Sequence, residues 1–88
     1  MALFTVSYDL NKTKNYQILW DALKKQGAHR ILESVWLINT SSTLKEVLNW
    51  LKGLVDNDDS LTVIKFAKSD LEFSNAKGGT NDWLNQNG

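Results

Sequence analysis

The 88-residue chain has no cysteine and no proline, one histidine and one arginine. Without cysteine, no disulfide supports the fold and no thiolate site exists, which fits a reducing compartment. Long apolar runs are also missing. No stretch approaches the ~20 apolar residues that span a bilayer. The first residues show neither the basic n-region nor the cleavage site of a secretory signal. The expectation is a soluble, cytoplasmic protein with no membrane partner. Net charge is zero, from ten basic and ten acidic residues. That argues against a general nucleic-acid binder, which usually presents a basic surface. The sequence holds no internal repeat and no low-complexity tract.

This length allows one domain. A chain so short buries only a little over ~60% of its unfolded surface, and self-association is one common remedy. Charge is unevenly spread. Residues 1–30 place Lys12, Lys14, Lys24, Lys25 and Arg30 against Asp9 and Asp21, whereas residues 31–88 carry more acids than bases. An ordinary solvated helix surface explains this, and a weak phosphate-facing patch around the first helix is the sharper alternative.

Residues 2–9 alternate. Phe4, Val6 and Tyr8 point one way, and Leu3, Thr5, Ser7 and Asp9 the other, a strand signal. Asn11 or Thr13 can cap a helix running to about Gln26, with Gly27 as its stop. Tyr16, Leu19, Trp20 and Leu23 make one buried stripe, with Ile18 nearly opposite. Residues 29–38 are β-rich, either one strand or two bent near Glu33-Ser34. There Val35 and Leu37 share one face and Trp36 and Ile38 the other. Such a strand is apolar on both sides, and a second copy of the chain is the cheapest cover for the side the helices leave bare.

Thr43 and Glu46 have capping-box spacing and start a second helix, whose stripe is Leu44, Val47, Leu48, Leu51, Leu54 and Val55. A turn at Asp56-Asn57-Asp58-Asp59 leads to a strand over residues 60–67. Residues 1–68 thus form the domain and 69–88 a polar tail. Thr80 caps a short helical turn there, and Trp83 is an anchor for docking the tail. With the middle run folded as a hairpin, the class is α+β. The order is βαββαβ, a ferredoxin-like sandwich of a four-stranded antiparallel sheet with two helices on one face.

Tyr8-Asp9-Leu10 closing the first strand, Gly27 ending the first helix, Glu33-Ser34-Val35-Trp36 in the middle run and Val55 to Leu61 before the last strand form a pattern. Over residues 1 to about 66 it resembles the Cas2 family of CRISPR-associated adaptation proteins. It also resembles their relatives, the virulence-associated protein D toxins and the SinR-like small proteins. The resemblance implies a homodimer with sheets face to face and an association with nucleic acid. It further implies, in some members, metal-dependent nuclease activity in which the first-strand aspartates of both subunits bind a divalent ion. That role maps onto Asp9. Other members are structural adaptors without catalysis.

Asp9 is therefore the candidate catalytic and metal-binding residue, for Mg²⁺ or Mn²⁺, one carboxylate coming from each subunit. The structural alternative is that Asp9 caps the turn or helix that follows it. Lys12, Lys14, Lys24, Lys25 and Arg30 are the candidate phosphate contacts, expected to give salt-dependent binding. His29 is a candidate general base, with a surface role the simpler account. The acidic turn fails as a calcium loop, because Leu61 stands where glycine is needed and Ala67 where glutamate is needed. Gly78-Gly79 lacks the strand and the G-K-[ST] of a phosphate loop. Three functions stay open: a phosphodiesterase acting on RNA or DNA, a non-catalytic dimeric scaffold or regulator binding nucleic acid or protein, and a toxin-like ribonuclease with an antitoxin partner.

Overall fold

The computed structural model describes residues 2–9, 16–56 and 59–87. Strand β1 (Ala2–Asp9) is followed by helix α1 (Gln17–Lys25), strands β2 (His29–Leu32) and β3 (Val35–Thr40), helix α2 (Leu44–Lys52) and strand β4 (Ser60–Phe66). A 3-10 turn at Lys68–Asp70 and helix α3 (Thr80–Asn87) complete the chain. The strands form one sheet in the order β2-β3-β1-β4, and every neighbouring pair is antiparallel.

The middle run is two strands. They turn at Glu33-Ser34, and the β2–β3 register shifts between Arg30 and Leu32. The turn falls where the sequence offers two exposed polar residues between apolar ones. Helix α1 stops as glycine chemistry dictates. Gly27 takes φ +75°. Its N–H bonds the Lys24 carbonyl at 2.9 Å, and that of Ala28 reaches back to Leu23 at 3.1 Å. This pair of bonds satisfies the last carbonyls of the helix. The proposed caps Asn11 and Thr13 lie outside the described residues. Helix α2 starts on the capping box, with Glu46 N–H donating to Thr43 Oγ1 at 3.2 Å and Thr43 N–H to Glu46 Oε1 at 2.8 Å.

The alternation of β1 divides the molecule. Phe4, Val6 and Tyr8 join Trp36, Ile38, Leu19, Leu23, Val47 and Leu51 in the main core, so α1 and α2 share one cluster with one side of the sheet. Ile18, off the α1 stripe, is 69% exposed. The opposite side, the outer face, carries Leu3, Thr5, Ser7 and Asp9, aligned with Phe66, Ile64, Thr62 and Ser60 of β4. Its β2–β3 half is covered by the chain itself. Leu84 of α3 packs on Ile31 and Leu37, with Val35, Phe66, Leu71, Ala76 and Trp83 around them. The tail thus holds an eight-residue helix where a short turn is expected, and it takes up part of the face expected to await a second copy.

Candidate functional site at the end of the first strand

Asp9 is the last residue of β1, exposed and paired in register with Ser60. It lies in a shallow, open depression of about 180 Å³ lined by Ser7, Tyr8, Asp9, Ser60 and Thr62. The outer face of β1 grades from buried Leu3 through half-buried Thr5 and Ser7 to exposed Asp9. The sequence therefore sets its one charged side chain of this strand where the sheet opens to water, among the hydroxyls of Ser7, Ser60 and Thr62. Among the described residues Asp9 makes no ion pair. Nor do the described residues include a group of three or more histidine, aspartate or glutamate side chains able to hold a metal. One copy contributes one carboxylate.

The residue beside it is fixed from several directions. Tyr8 Oη accepts from the indole N–H of Trp20 at 3.0 Å and from that of Trp36 at 3.1 Å. It donates to the Glu33 carbonyl at 3.2 Å. An indole only donates, so the phenol has to be the acceptor for both, and its own proton is left for the carbonyl. Tyr8 N–H also bonds the Ser34 carbonyl at 3.1 Å. The β2–β3 turn is thereby tied to the end of β1, next to Asp9. Replacing Tyr8 by Phe strands the buried Trp36 N–H, while water can serve half-buried Trp20. The expected cost is about 1–3 kcal/mol, seen as a lower urea midpoint with an unchanged slope.

Arg30 serves the same turn. Its Nε and Nη2 donate to the Glu33 carbonyl at 2.9 and 2.6 Å. Its guanidinium carbon lies 4.8 Å from the Trp20 ring centroid and 5.8 Å from that of Trp36, within cation–π range. The Glu33 carboxylate pairs with Lys77 at 3.1 Å and with Arg30 at 3.3 Å. The Lys77 hydrogen bond, then the charges of Lys77 and Arg30, hold Glu33 below its ordinary range.

The proposed phosphate contacts are dispersed. Arg30 is engaged at the turn near Asp9. Lys24 and Lys25 are exposed in the last turn of α1, which runs back to the far end of the sheet. There Gln26 adjoins Thr40, and Thr40 pairs with Ala2 at the start of β1. Lys12 and Lys14 lie outside the described residues.

His29 points to the outer face and meets the tail. Its Nε2 is 2.7 Å from Thr80 Oγ1, and that hydroxyl donates its only proton to the Lys77 carbonyl at 2.7 Å. Nε2 therefore carries a hydrogen and donates. The ring also stacks on Trp83, centroids 6.4 Å apart, and the Trp83 indole N–H bonds the Gly27 carbonyl at 2.8 Å. His29 thus anchors the tail, and the geometry gives it no role toward Asp9. Burial pushes its pKa below the ordinary 6.5, so the folded state binds its proton less readily than the unfolded chain. The resulting stability is complete above about pH 6.5 and declines as pH falls through that value toward the lower folded pKa. Between pH 7.5 and 5.5 the wild type is expected to lose more stability in urea titrations than His29→Gln. The two carboxylates held below their ordinary range, Glu33 and Glu46, keep their charge over that window. Glu46, lowered by its Thr43 hydrogen bonds, and Glu33 lose their contributions only below their ordinary 4.5.

Sequence reasoning puts Asp9 at the end of the first strand, where the structure has it, and finds the Trp83 anchor, but misses the Tyr8 junction and the Glu33–Lys77 bridge. The available signal for the junction is that a tyrosine and two tryptophans fall on inward positions, where each needs a polar partner. Together the fold and site define a small α+β protein with an antiparallel four-stranded sheet and a solvent-facing carboxylate at the close of its first strand. The family model described as CRISPR associated protein Cas2 matches residues 1–72, and the chain belongs to that family. The match ends before α3. No helix among the described residues is long and apolar enough to cross a membrane.

Proposed function

We propose that this chain acts as a two-copy, nucleic-acid-associated protein whose paired Asp9 carboxylates hold Mg²⁺ or Mn²⁺ for phosphodiester cleavage. The reading takes the sheet order β2-β3-β1-β4, with α1 and α2 sharing one core, as a ferredoxin-like sandwich. The observation that carries it is the placement of Asp9: exposed, at an open strand end, and surrounded by small hydroxyl side chains. Mg²⁺ takes one or two carboxylates and keeps several waters, so one aspartate from each copy would fit its needs, and Ser7 and Ser60, which line the same depression, would orient the waters. A bound ion would lower the pKa of a water and neutralise phosphate charge. Within each copy, the Tyr8 junction fixes the strand end that carries the carboxylate.

A second reading is a two-copy scaffold that holds nucleic acid without cutting it. It draws on the absence of a metal-holding cluster within one copy's described residues. The purified protein, incubated with end-labelled RNA and DNA, separates the two. Cleavage that needs Mg²⁺ or Mn²⁺ and stops with EDTA supports the nuclease. Retention of either nucleic acid on a two-copy protein, with no cleavage under any metal, rejects the nuclease in favour of the scaffold.

A further inference from the structure

We propose that the cleft between the end of α2 and the start of β4 binds a free apolar α-amino acid, held by its ammonium, its carboxylate and its side chain together. The inference is independent of the two-copy reading, because the cleft lies within one chain and shares no lining residue with the Asp9 depression.

The cleft holds about 420 Å³ and is lined by Leu48, Lys52, Val55, Asp56, Asp59 and Leu61. That volume falls within the ~300–1,000 Å³ usual for small-molecule sites. Leu48 and Lys52 are one helical turn apart on α2, so both stand on the same side of the helix. Val55 and Leu61 are half-buried where they pack against the main core, and Leu48 is half-buried beside them. Three aliphatic side chains thus form an apolar base that the protein covers only in part.

Charge of both signs surrounds that base. Lys52 is exposed and makes no ion pair among the described residues. Asp56 and Asp59 come from the turn that follows α2. Asp59 Oδ2 accepts from Asp56 N–H at 3.0 Å, which ties the turn together. A carboxylate offers about four acceptor sites, so Asp59 keeps capacity for the donors of a ligand.

These groups select a class of ligand. A simple anion would meet two carboxylates, and a simple cation would meet Lys52. A wholly apolar molecule would take all three charges out of water without pairing them, which is costly. A zwitterion answers both signs. Its carboxylate pairs with Lys52, its ammonium donates to Asp56 and Asp59, and an apolar side chain covers Leu48, Val55 and Leu61. An α-amino acid carries both charges and an apolar group on one carbon. By contrast, the depression of about 470 Å³ beside the start of α2 has Lys65 as the only charged residue among the described residues lining it, so it lacks the acidic partner that the ammonium needs.

The test is titration of the full chain with L-phenylalanine, followed by amide NMR shifts. Saturable shifts are expected at Lys52, Val55 and Leu61 and not at Leu84 on the outer face. Glycine, which lacks the apolar body, should bind at least about tenfold more weakly. Phenethylamine lacks the carboxylate and phenylpropionate lacks the ammonium, and each should bind about two- to fivefold more weakly, the scale of an exposed ion pair. Lys52→Gln should weaken L-phenylalanine by that same two- to fivefold factor and leave phenethylamine unchanged. The comparison of ligands is made on the wild-type protein, so it decides whatever the variant does to the fold. No saturable shift at the cleft overturns the site. Phenethylamine or phenylpropionate bound as tightly as the amino acid overturns the zwitterion assignment. Saturable binding of L-phenylalanine that a folded Lys52→Gln leaves unchanged overturns it as well.

Discussion

Asp9→Asn is expected to abolish metal-dependent cleavage while leaving the fold and the self-association of the protein intact. Asparagine keeps the shape and one acceptor oxygen but removes the negative charge that binds a hard divalent cation. In the proposed two-fold site the substitution would act twice, because both ligands would come from the same position. The loss should therefore be at least about a hundredfold in rate, the scale seen when one preorganised electrostatic group at a reacting centre is removed. Stability should move by no more than about 0.5 kcal/mol, as for surface changes away from packed or paired groups. Asp70→Asn is the control, because Asp70 belongs to the 3-10 turn after β4, at the other end of that strand, where its Oδ2 accepts from Ala67 N–H at 3.0 Å. Cleavage by wild type that survives in Asp9→Asn would place the chemistry elsewhere. A dimer lost together with the activity would make Asp9 an interface residue.

What could be read in advance follows from range. The β1 alternation, the α1 stripe, the Gly27 stop and the Thr43–Glu46 box are local patterns, and the structure forms all of them. The β2–β3 hairpin was open in the sequence because His29 to Ile38 is β-rich throughout, and only the exposed pair Glu33-Ser34 marks the turn. Asp9 could be placed at a strand end because strand periodicity needs few residues. The junction around Tyr8 could not. It joins positions 8, 20, 30, 33 and 36 through strand register and helix docking, which no local window contains. The tail resisted for another reason. Asn81, Asp82, Asn85 and Asn87 are weak helix formers, so α3 owes its helix to the seat of Leu84 on Ile31 and Leu37 rather than to its own composition. That same long-range contact decides which half of the outer face is left open, and the alternation of β3 alone does not show it.

Trp36→Ala should be the most damaging single change to the fold. Trp36 is 2% exposed and among the largest fully buried side chains of the core. Removing its ring deletes packing against β1, α1 and α2 in the main cluster, and costs about 3–5 kcal/mol from transfer and cavity terms together. The indole also ends two polar arrangements: its hydrogen bond to Tyr8 at 3.1 Å and its face toward the Arg30 guanidinium. For a domain this small, whose total stability is on the order of 5–15 kcal/mol, that is a large fraction. Equilibrium urea unfolding followed by far-UV circular dichroism should show the midpoint fall steeply. Trp36→Phe separates the contributions, since it keeps most of the volume, loses the indole donor and frees one acceptor site on Tyr8. A loss for Trp36→Phe well below that for Trp36→Ala assigns the cost to packing. Equal losses would shift the weight to the hydrogen bond and the junction that holds Asp9 in place. If Trp36→Ala costs less than about 1 kcal/mol, the typical effect of an arbitrary substitution, the core is not centred on this residue and the account of how β1 presents its terminal carboxylate fails with it.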